Sequence, residues 1–367
     1  MSDVVVIGGG IIGCAIARAL GAVGAEVLMV DPRHIGQGAS RASAGMLAPF
    51  TEGQHDAALQ ALGVSSLDLY DALVASLRDE GETIAYTRDG SIEVACDEAS
   101  VAALDRVATE LSAAGVGHRL LTAESLRACE PSLAAGVLGG LHIPAHGAVD
   151  VPALVGALWR SAERRGAKRL TGRVTAVRSG RGGVRVETSV GALLARRAVL
   201  AAGSWASQVE LDGAPRVPVR PIRGQLIALR LARQVLRHAV WGPRCYLVPW
   251  DDGGLLVGAT VEDVGFDERA TAGGVRSLLA SAIALVPSLA DAGFGDVRVG
   301  LRPGTADGRP LVGLSRQLEG LVYATGHYRN GALLAPLTAQ AVTHLVEGRP
   351  LDPVWSPCRP DRFDGDM

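Results

Sequence analysis

Lysine is nearly missing from this chain: Lys168 is the only one among 36 basic residues in 367. Arginine carries the remainder, which we read as coding bias. With a formal net charge of −2, neither the basic footprint needed for nucleic acid nor a polybasic patch for a membrane surface is present. Cysteine is scarce and scattered. Cys14, Cys96, Cys129, Cys245 and Cys358 are odd in number and lack CxxC spacing, which argues against a disulfide framework and a metal site and for reduced thiols in a cytosolic setting. No stretch reaches the roughly 18 uncharged apolar residues that would span a bilayer. The apolar run Val4 to Ala17 has the length of a signal-peptide core, but Asp3 is the only charge before it and three consecutive glycines interrupt it. A soluble, cytoplasmic protein is expected. No Ser/His/Asp set or paired carboxylates stand out either.

What is present is an ordinary globular composition, 48% hydrophobic and 20% charged, with a length that suits two domains. The stretch "VVVIGGGIIGCAIARALGAVGAEVLMVDP" reads as a buried strand (Val4 to Ile7), a glycine turn, a helix (about Ile11 to Val23) and a second strand (about Glu26 to Val30) closing on Asp31. Gly8, Gly10 and Gly13 form GxGxxG. Their tasks are the tight turn, close approach of backbone to a pyrophosphate, and close packing of helix on strand. The helix start at Ile11 and Ile12 presents free N–H groups to phosphates. Asp31 sits where a carboxylate accepts hydrogen bonds from the adenosine ribose, and it would repel a 2′-phosphate. The motif predicts a dinucleotide site but does not by itself separate FAD from NAD.

The rest of the chain separates them. After Asp31 and Pro32 comes "RHIGQGASRASAGMLAP", a long loop whose small residues, among them Ala39, Ser40, Ala44 and Gly45 before Met46, let backbone approach an extended ligand. Strands are expected much later, at Lys168 to Arg178, Arg197 to Gly203 and Leu321 to Gly326, so one sheet is assembled from distant segments. Between them, Tyr86 to Ala95, Val217 to Leu231, a hairpin turning at Asp252-Gly253-Gly254, and Asp296 to Arg302 predict a second, antiparallel sheet. Helices are expected near Leu67 to Leu77, Ser100 to Ala114 and Arg269 to Leu285, and the tail after Gly348 as a surface coil. The fold class is therefore α/β, a Rossmann-type FAD-binding domain (1–84, 146–216 and 303–367) interleaved with an antiparallel-sheet substrate domain (85–145 and 217–302).

Six segments carry a resemblance to a known family: "VVVIGGGIIG", "SAGMLAP", "PIRGQ", "CYLVP", "LRPGTADGRPLVG" and "GHYRNGALLAP". Over essentially its full length the chain resembles the FAD-dependent amine and amino-acid oxidases of the D-amino acid oxidase family, with its glycine-oxidising members the nearest in kind. The resemblance implies that Arg302 binds the substrate carboxylate, that Tyr246 supports it, and that the segment His327, Tyr328, Arg329, Asn330, Gly331, Ala332 and Leu333 wraps the flavin. It also extends the cofactor contacts to Pro32, Met46, Val174 and Gly203. Arg302 ends a strand before Pro303-Gly304, from which a guanidinium can project rigidly and pair with a carboxylate through two bonds. Local sequence alone equally permits a surface arginine capping a strand, a core tyrosine at 246, and a structural ion pair for Arg329. An apolar helix is expected to begin near Asn330-Gly331 with Pro336 in its first turn, its free N–H groups and positive end set against the flavin.

The implied reaction is oxidation of glycine, and of sarcosine and small D-amino acids, by hydride transfer from Cα to non-covalently bound FAD. Water then gives glyoxylate and ammonia, and molecular oxygen gives hydrogen peroxide; the family also supplies the imine for thiamine thiazole synthesis. Three alternatives stay open: a dehydrogenase with another electron acceptor, an oxidase preferring sarcosine or proline, and a flavin-binding subunit without catalysis. Oligomeric state is undecided, a homo-oligomer included, as is a role in specificity for Arg244.

Overall fold

The computed structural model describes residues 2–52 and 56–363. Its first strand, Ser2–Ile7, explains the run of four apolar residues at its core. Side chains alternate across a strand, so Val4 and Val6 enter one hydrophobic core while Val5 and Ile7 enter another, and all four are buried. The helix Ile11–Ala22 follows and buries Ile16 and Leu20 completely. Each such side chain contributes roughly 1.5–3 kcal/mol relative to exposure.

The strand lies in the middle of a parallel array. Its neighbours are Val27–Asp31, which pairs in turn with Lys168–Thr171, and on the other side Gly191–Leu200, which pairs with Leu321–Thr325. Leu311–Leu314 adds an antiparallel edge. Three helices cover one face: Ile11–Ala22, Val151–Arg164 and Gly331–Val346. The antiparallel strands Val174–Gly180 and Gly183–Thr188 and the start of Gly191–Leu200 pack on the other.

A second sheet has eight strands, ordered Gly293–Gly304, Arg220–Arg230, Gly254–Gly258, Tyr246–Pro249, Ala239–Trp241, Ser91–Ala95, Gly139–Ile143 and Arg119–Thr122. All neighbours are antiparallel except Ala239–Trp241 with Ser91–Ala95. Leu247, Val257 and Ile227 point to the helix Ala272–Leu285 and its core, while Tyr246, on the opposite face, lines the cleft between the sheets. The two sheets draw their strands from interleaved stretches of sequence.

Several expectations need correction. The helix expected at Leu67 to Leu77 starts at Tyr70 and runs to Asp79, and a separate helix, Ala57–Leu67, precedes it. Lys168 to Arg178 is two strands broken at Gly172-Arg173, and of Tyr86 to Ala95 the first two residues belong to a small separate sheet with Met46–Leu47 and Gly147–Val149. The tail is not a plain surface coil, because its 3-10 turns bury Trp355 and Cys358 against Leu334 and Leu337. Pro336 lies in the second turn of Gly331–Val346, not the first. Its missing N–H frees the Ala332 carbonyl, which accepts the Tyr70 hydroxyl instead. Beside it, the Ser66 hydroxyl donates to the Leu333 carbonyl at 2.6 Å and accepts the Leu337 N–H at 3.3 Å.

Candidate active site

A cleft enclosing about 1830 Å³ of space open to solvent runs between the two sheets. At one end lies the glycine turn. Gly8 has φ +114°, a conformation that L side chains rarely adopt, and a methyl group there would sit 2.4 Å from the Ala201 carbonyl oxygen. At Gly13 a methyl would meet the Gly8 carbonyl oxygen at 1.9 Å, so this glycine serves the close packing of helix on strand and does not line the cleft. Gly10, Ile11 and Ile12 do. No side chain of Gly10 caps the helix, and Ser40 Oγ accepts the Ile11 N–H at 3.0 Å. The Asp31 carboxylate is fixed from both sides, accepting the Gly9 N–H at 2.7 Å and the Arg33 N–H at 2.7 Å, and it faces the cleft beside Pro32 and Val174. The expected free N–H at Ile11 is thus taken by Ser40, and the glycine cradle, the remaining first-turn N–H of Ile12 and a backbone-held carboxylate fit the pyrophosphate and ribose of a dinucleotide.

Ala39, Ser40, Ala44, Gly45, Met46 and Gly203 also line the cleft. Gly45 has φ +74°, and a methyl there would clash with the Val149 carbonyl oxygen at 1.8 Å. Small residues in this loop therefore serve backbone packing as well as ligand access. Five thiols are present without a disulfide, and none lines the cleft. Among the described residues, no group of three or more His, Cys, Asp or Glu side chains could hold a metal ion.

At the far end, Arg302, Tyr246 and Arg329 come together. Arg302 donates from Nη1 to the Thr260 carbonyl at 2.9 Å, and no carboxylate of the described residues lies within ion-pair distance of it. Its head occupies space that Gly224 leaves empty: a methyl at 224 would stand 2.4 Å from Cζ and both Nη atoms. Gly258 does the same for the Tyr246 ring. Burial raises the Tyr246 hydroxyl above its ordinary pKa against the lowering fields of Arg302 and Arg329, so it is a neutral donor at pH 7. Arg329 is engaged by Glu52, donating from Nε at 2.6 Å and from Nη2 at 3.1 Å. The sequence reading missed Glu52, whose partner lies 277 residues away.

Of the segment from His327 onward, His327, Tyr328, Arg329, Gly331 and Ala332 line the cleft. His327 is buried, shares a 3.0 Å hydrogen bond between Nε2 and Thr338 Oγ1, and burial lowers its pKa to about 3. Tyr328 has φ +46°, a strained value for a side-chain residue, held by its N–H donating to the Pro303 carbonyl at 3.0 Å. Gly331 and Ala332 line the cleft, whereas Asn330 is buried beneath it and Leu333 packs in the core. Arg244 is exposed and outside the lining.

A dinucleotide cradle at one end of a cleft and an arginine-tyrosine cluster at the other, built on two interleaved sheets, define a flavin-dependent oxidoreductase. The chain matches the family described as FAD dependent oxidoreductase over residues 3–345 and belongs to it. It is 36% identical to the glycine oxidase of Geobacillus kaustophilus (strain HTA426) over 94% of this chain and 93% of that one. A crystal structure of glycine oxidase from Geobacillus kaustophilus superposes with a TM-score of 0.94 over 98% of both chains, at 35% identity. The bifunctional protein ThiO/ThiG of Nostoc sp. (strain PCC 7120 / SAG 25.82 / UTEX 2576) is 36% identical over 96% of this chain, which spans 54% of that protein. The fold and the cofactor, FAD, thus agree with the sequence reading. No helix of the described residues is long and apolar enough to cross a membrane.

Proposed function

We propose that the protein oxidises glycine, and with it sarcosine and small D-amino acids. The observation that carries this reading is Arg302: a guanidinium at the end of a rigid strand, opposite the dinucleotide cradle, with no carboxylate partner of its own among the described residues. In this reading Gly8, Gly10, Ile11 and Ile12 hold the FAD pyrophosphate, Asp31 the ribose, and the stretch from His327 to Ala332 the flavin. When bound, FAD accepts two electrons from the substrate Cα–H bond and passes them to dioxygen as hydrogen peroxide.

This chain's own residues bind and orient. Arg302 takes the substrate carboxylate through two N–H donors, and the Tyr246 hydroxyl donates to the same group. With the carboxylate fixed at two points, Cα is held toward the cofactor end of the cleft, and the entropy of alignment is met on binding. His327 is not a proton acceptor in this reading, since burial keeps its ring neutral and Thr338 occupies Nε2. The first-turn N–H groups of Gly331 and Ala332, with the positive helix end behind them, favour negative charge at the cofactor. The imine leaves as such or meets water to give glyoxylate and ammonia. Resemblance to the ThiO/ThiG proteins supports delivery of the imine to thiamine thiazole synthesis, in the cytoplasm where scattered thiols stay reduced. We further assign the strands of the parallel sheet to the cofactor domain and those of the eight-stranded sheet to the substrate domain.

The test is peroxide release under air with glycine, sarcosine, D-alanine and proline as substrates. Peroxide from glycine with kcat/KM at or above that for proline supports the reading. Reduction of an added quinone without peroxide would make the protein a dehydrogenase.

A further inference from the structure

Charges at the substrate end of the cleft do not cancel. Arg302 and Arg329 bring two guanidinium groups, Glu52 one carboxylate, and all three line the cleft with Tyr246, whose hydroxyl feels the fields of all of them. Two positive charges and one negative leave a single net positive charge. That charge is unevenly placed. Arg302 bonds to backbone carbonyls and the Tyr246 hydroxyl, none of them charged, whereas Arg329 has its Nε and Nη2 donors spent on the two oxygens of Glu52. The pair is well shielded, the Glu52 side chain being 12% exposed and that of Arg329 26%. Screening by solvent is correspondingly weak there.

We propose that Glu52 is a specificity-determining residue that admits amino acids with one carboxylate and rejects those with a second anionic group. The proposal rests on the oxidation of amino acids argued above. A monoanionic substrate pairs with Arg302 and completes the neutralisation of the site. A substrate carrying a second carboxylate, such as N-carboxymethylglycine (iminodiacetate), would bring that group to the only other cation of the cluster and find it occupied. It would meet the Glu52 carboxylate at close range, and juxtaposed like charges disfavour binding strongly. Removal of the Glu52 charge turns the same Arg329 donors into a second anion site. Glu52 thus acts on substrate choice through Arg329, without contact to the reacting bond.

The test compares the FAD-loaded parent with Glu52→Gln, Glu52→Asp and the double variant Glu52→Gln/Arg329→Met. Glu52→Gln keeps side-chain length and one acceptor for Arg329. We expect its kcat/KM for iminodiacetate relative to glycine to rise on the order of tenfold or more, through KM and not kcat. Glu52→Asp, which keeps the charge, should retain the parent's discrimination, and the double variant should lose the gain. A purely structural role predicts equal losses for both substrates and no difference between Asp and Gln. A binding readout runs beside the kinetics: the ratio of malonate to acetate dissociation constants, from their perturbation of the flavin spectrum, should shift in favour of malonate by a similar factor in Glu52→Gln. An unchanged ratio in both experiments overturns the proposal. Should the parent oxidise no amino acid, the proposed function fails, and the malonate-to-acetate ratio still decides for or against the charge at Glu52.

Discussion

Adding one methyl group at Gly224 should cripple the enzyme without touching any charge. Gly224 lies on the strand Arg220–Arg230 with φ outside the left-handed region, so alanine brings no backbone strain. The new methyl would stand 2.4 Å from Cζ, Nη1 and Nη2 of Arg302. Carbon contacts settle near 3.5–4.0 Å, so the guanidinium must retreat by about 1 Å or more. It can, because it is the far end of a flexible side chain, and the 2.9 Å bond to the Thr260 carbonyl breaks as it moves. Misplacement by about 1 Å costs on the order of 100-fold in rate. Full removal in Arg302→Ala sets the scale: truncating one member of a buried charged pair costs roughly 2–5 kcal/mol, or about 30- to several-thousand-fold in kcat/KM. Arg302→Lys keeps charge but loses the two-pronged geometry and should recover only part. The assay is kcat/KM for glycine with FAD occupancy measured on the same sample, and occupancy should stay at the parent level in all three. If Gly224→Ala and Arg302→Ala both oxidise glycine within about twofold of the parent with flavin fully bound, Arg302 does not anchor the substrate.

Asp31→Ala removes the acceptor for the Gly9 and Arg33 N–H groups and should lower FAD occupancy while leaving the rate per bound flavin and the glycine-to-sarcosine ratio unchanged; a changed ratio would mean that Asp31 is misassigned. Acid precipitation should release all yellow colour to the supernatant, since no thiol lines the cleft, and colour in the pellet would refute non-covalent binding. Tyr70→Phe orphans the Ala332 carbonyl beside Pro336 and should cost about 1–3 kcal/mol of stability, read as a lower denaturant midpoint; an unmoved midpoint would show that the carbonyl finds another donor. His146 and His327 are both lowered to about 3 by burial, so between pH 6.5 and 3 the unfolded chain binds protons that the native state refuses. Stability is therefore full above about pH 6.5 and falls with acidification by up to ~1.4 kcal/mol per pH unit for each ring. His327→Gln should flatten that slope in denaturation curves at pH 7.5 and 5.5, and equal slopes would contradict the assignment.

The cofactor end was legible in the sequence because its requirements are local. Gly13 is dictated by a contact within one βαβ unit and Asp31 by the end of the next strand, whereas Gly8 is legible from its motif although the backbone that crowds it, at Ala201, lies far along the chain. Arg302 and Tyr246 were readable as strand positions, but the emptiness that receives them was not, since Gly224 and Gly258 act on side chains of other strands. Glu52 was invisible for the same reason: it ends a single helical turn, Pro49–Glu52, and its meaning lies in Arg329. Pro336 was misplaced because its tolerance comes from Tyr70 and Ser66, over 260 residues earlier, and not from the first turn of its own helix. Likewise Trp355 and Cys358 read as part of a polar tail until helix Gly331–Val346 offers them a surface.

Anaerobic titration of the purified protein with glycine shows whether the bound flavin takes electrons from the amino acid. The flavin absorbance of the holoenzyme should bleach in proportion to the glycine added, reach completion at one equivalent of two-electron reduction per FAD, and return on admission of air with release of hydrogen peroxide. A flavin that stays oxidised at saturating glycine, sarcosine and D-alanine would show that the protein oxidises none of these amino acids.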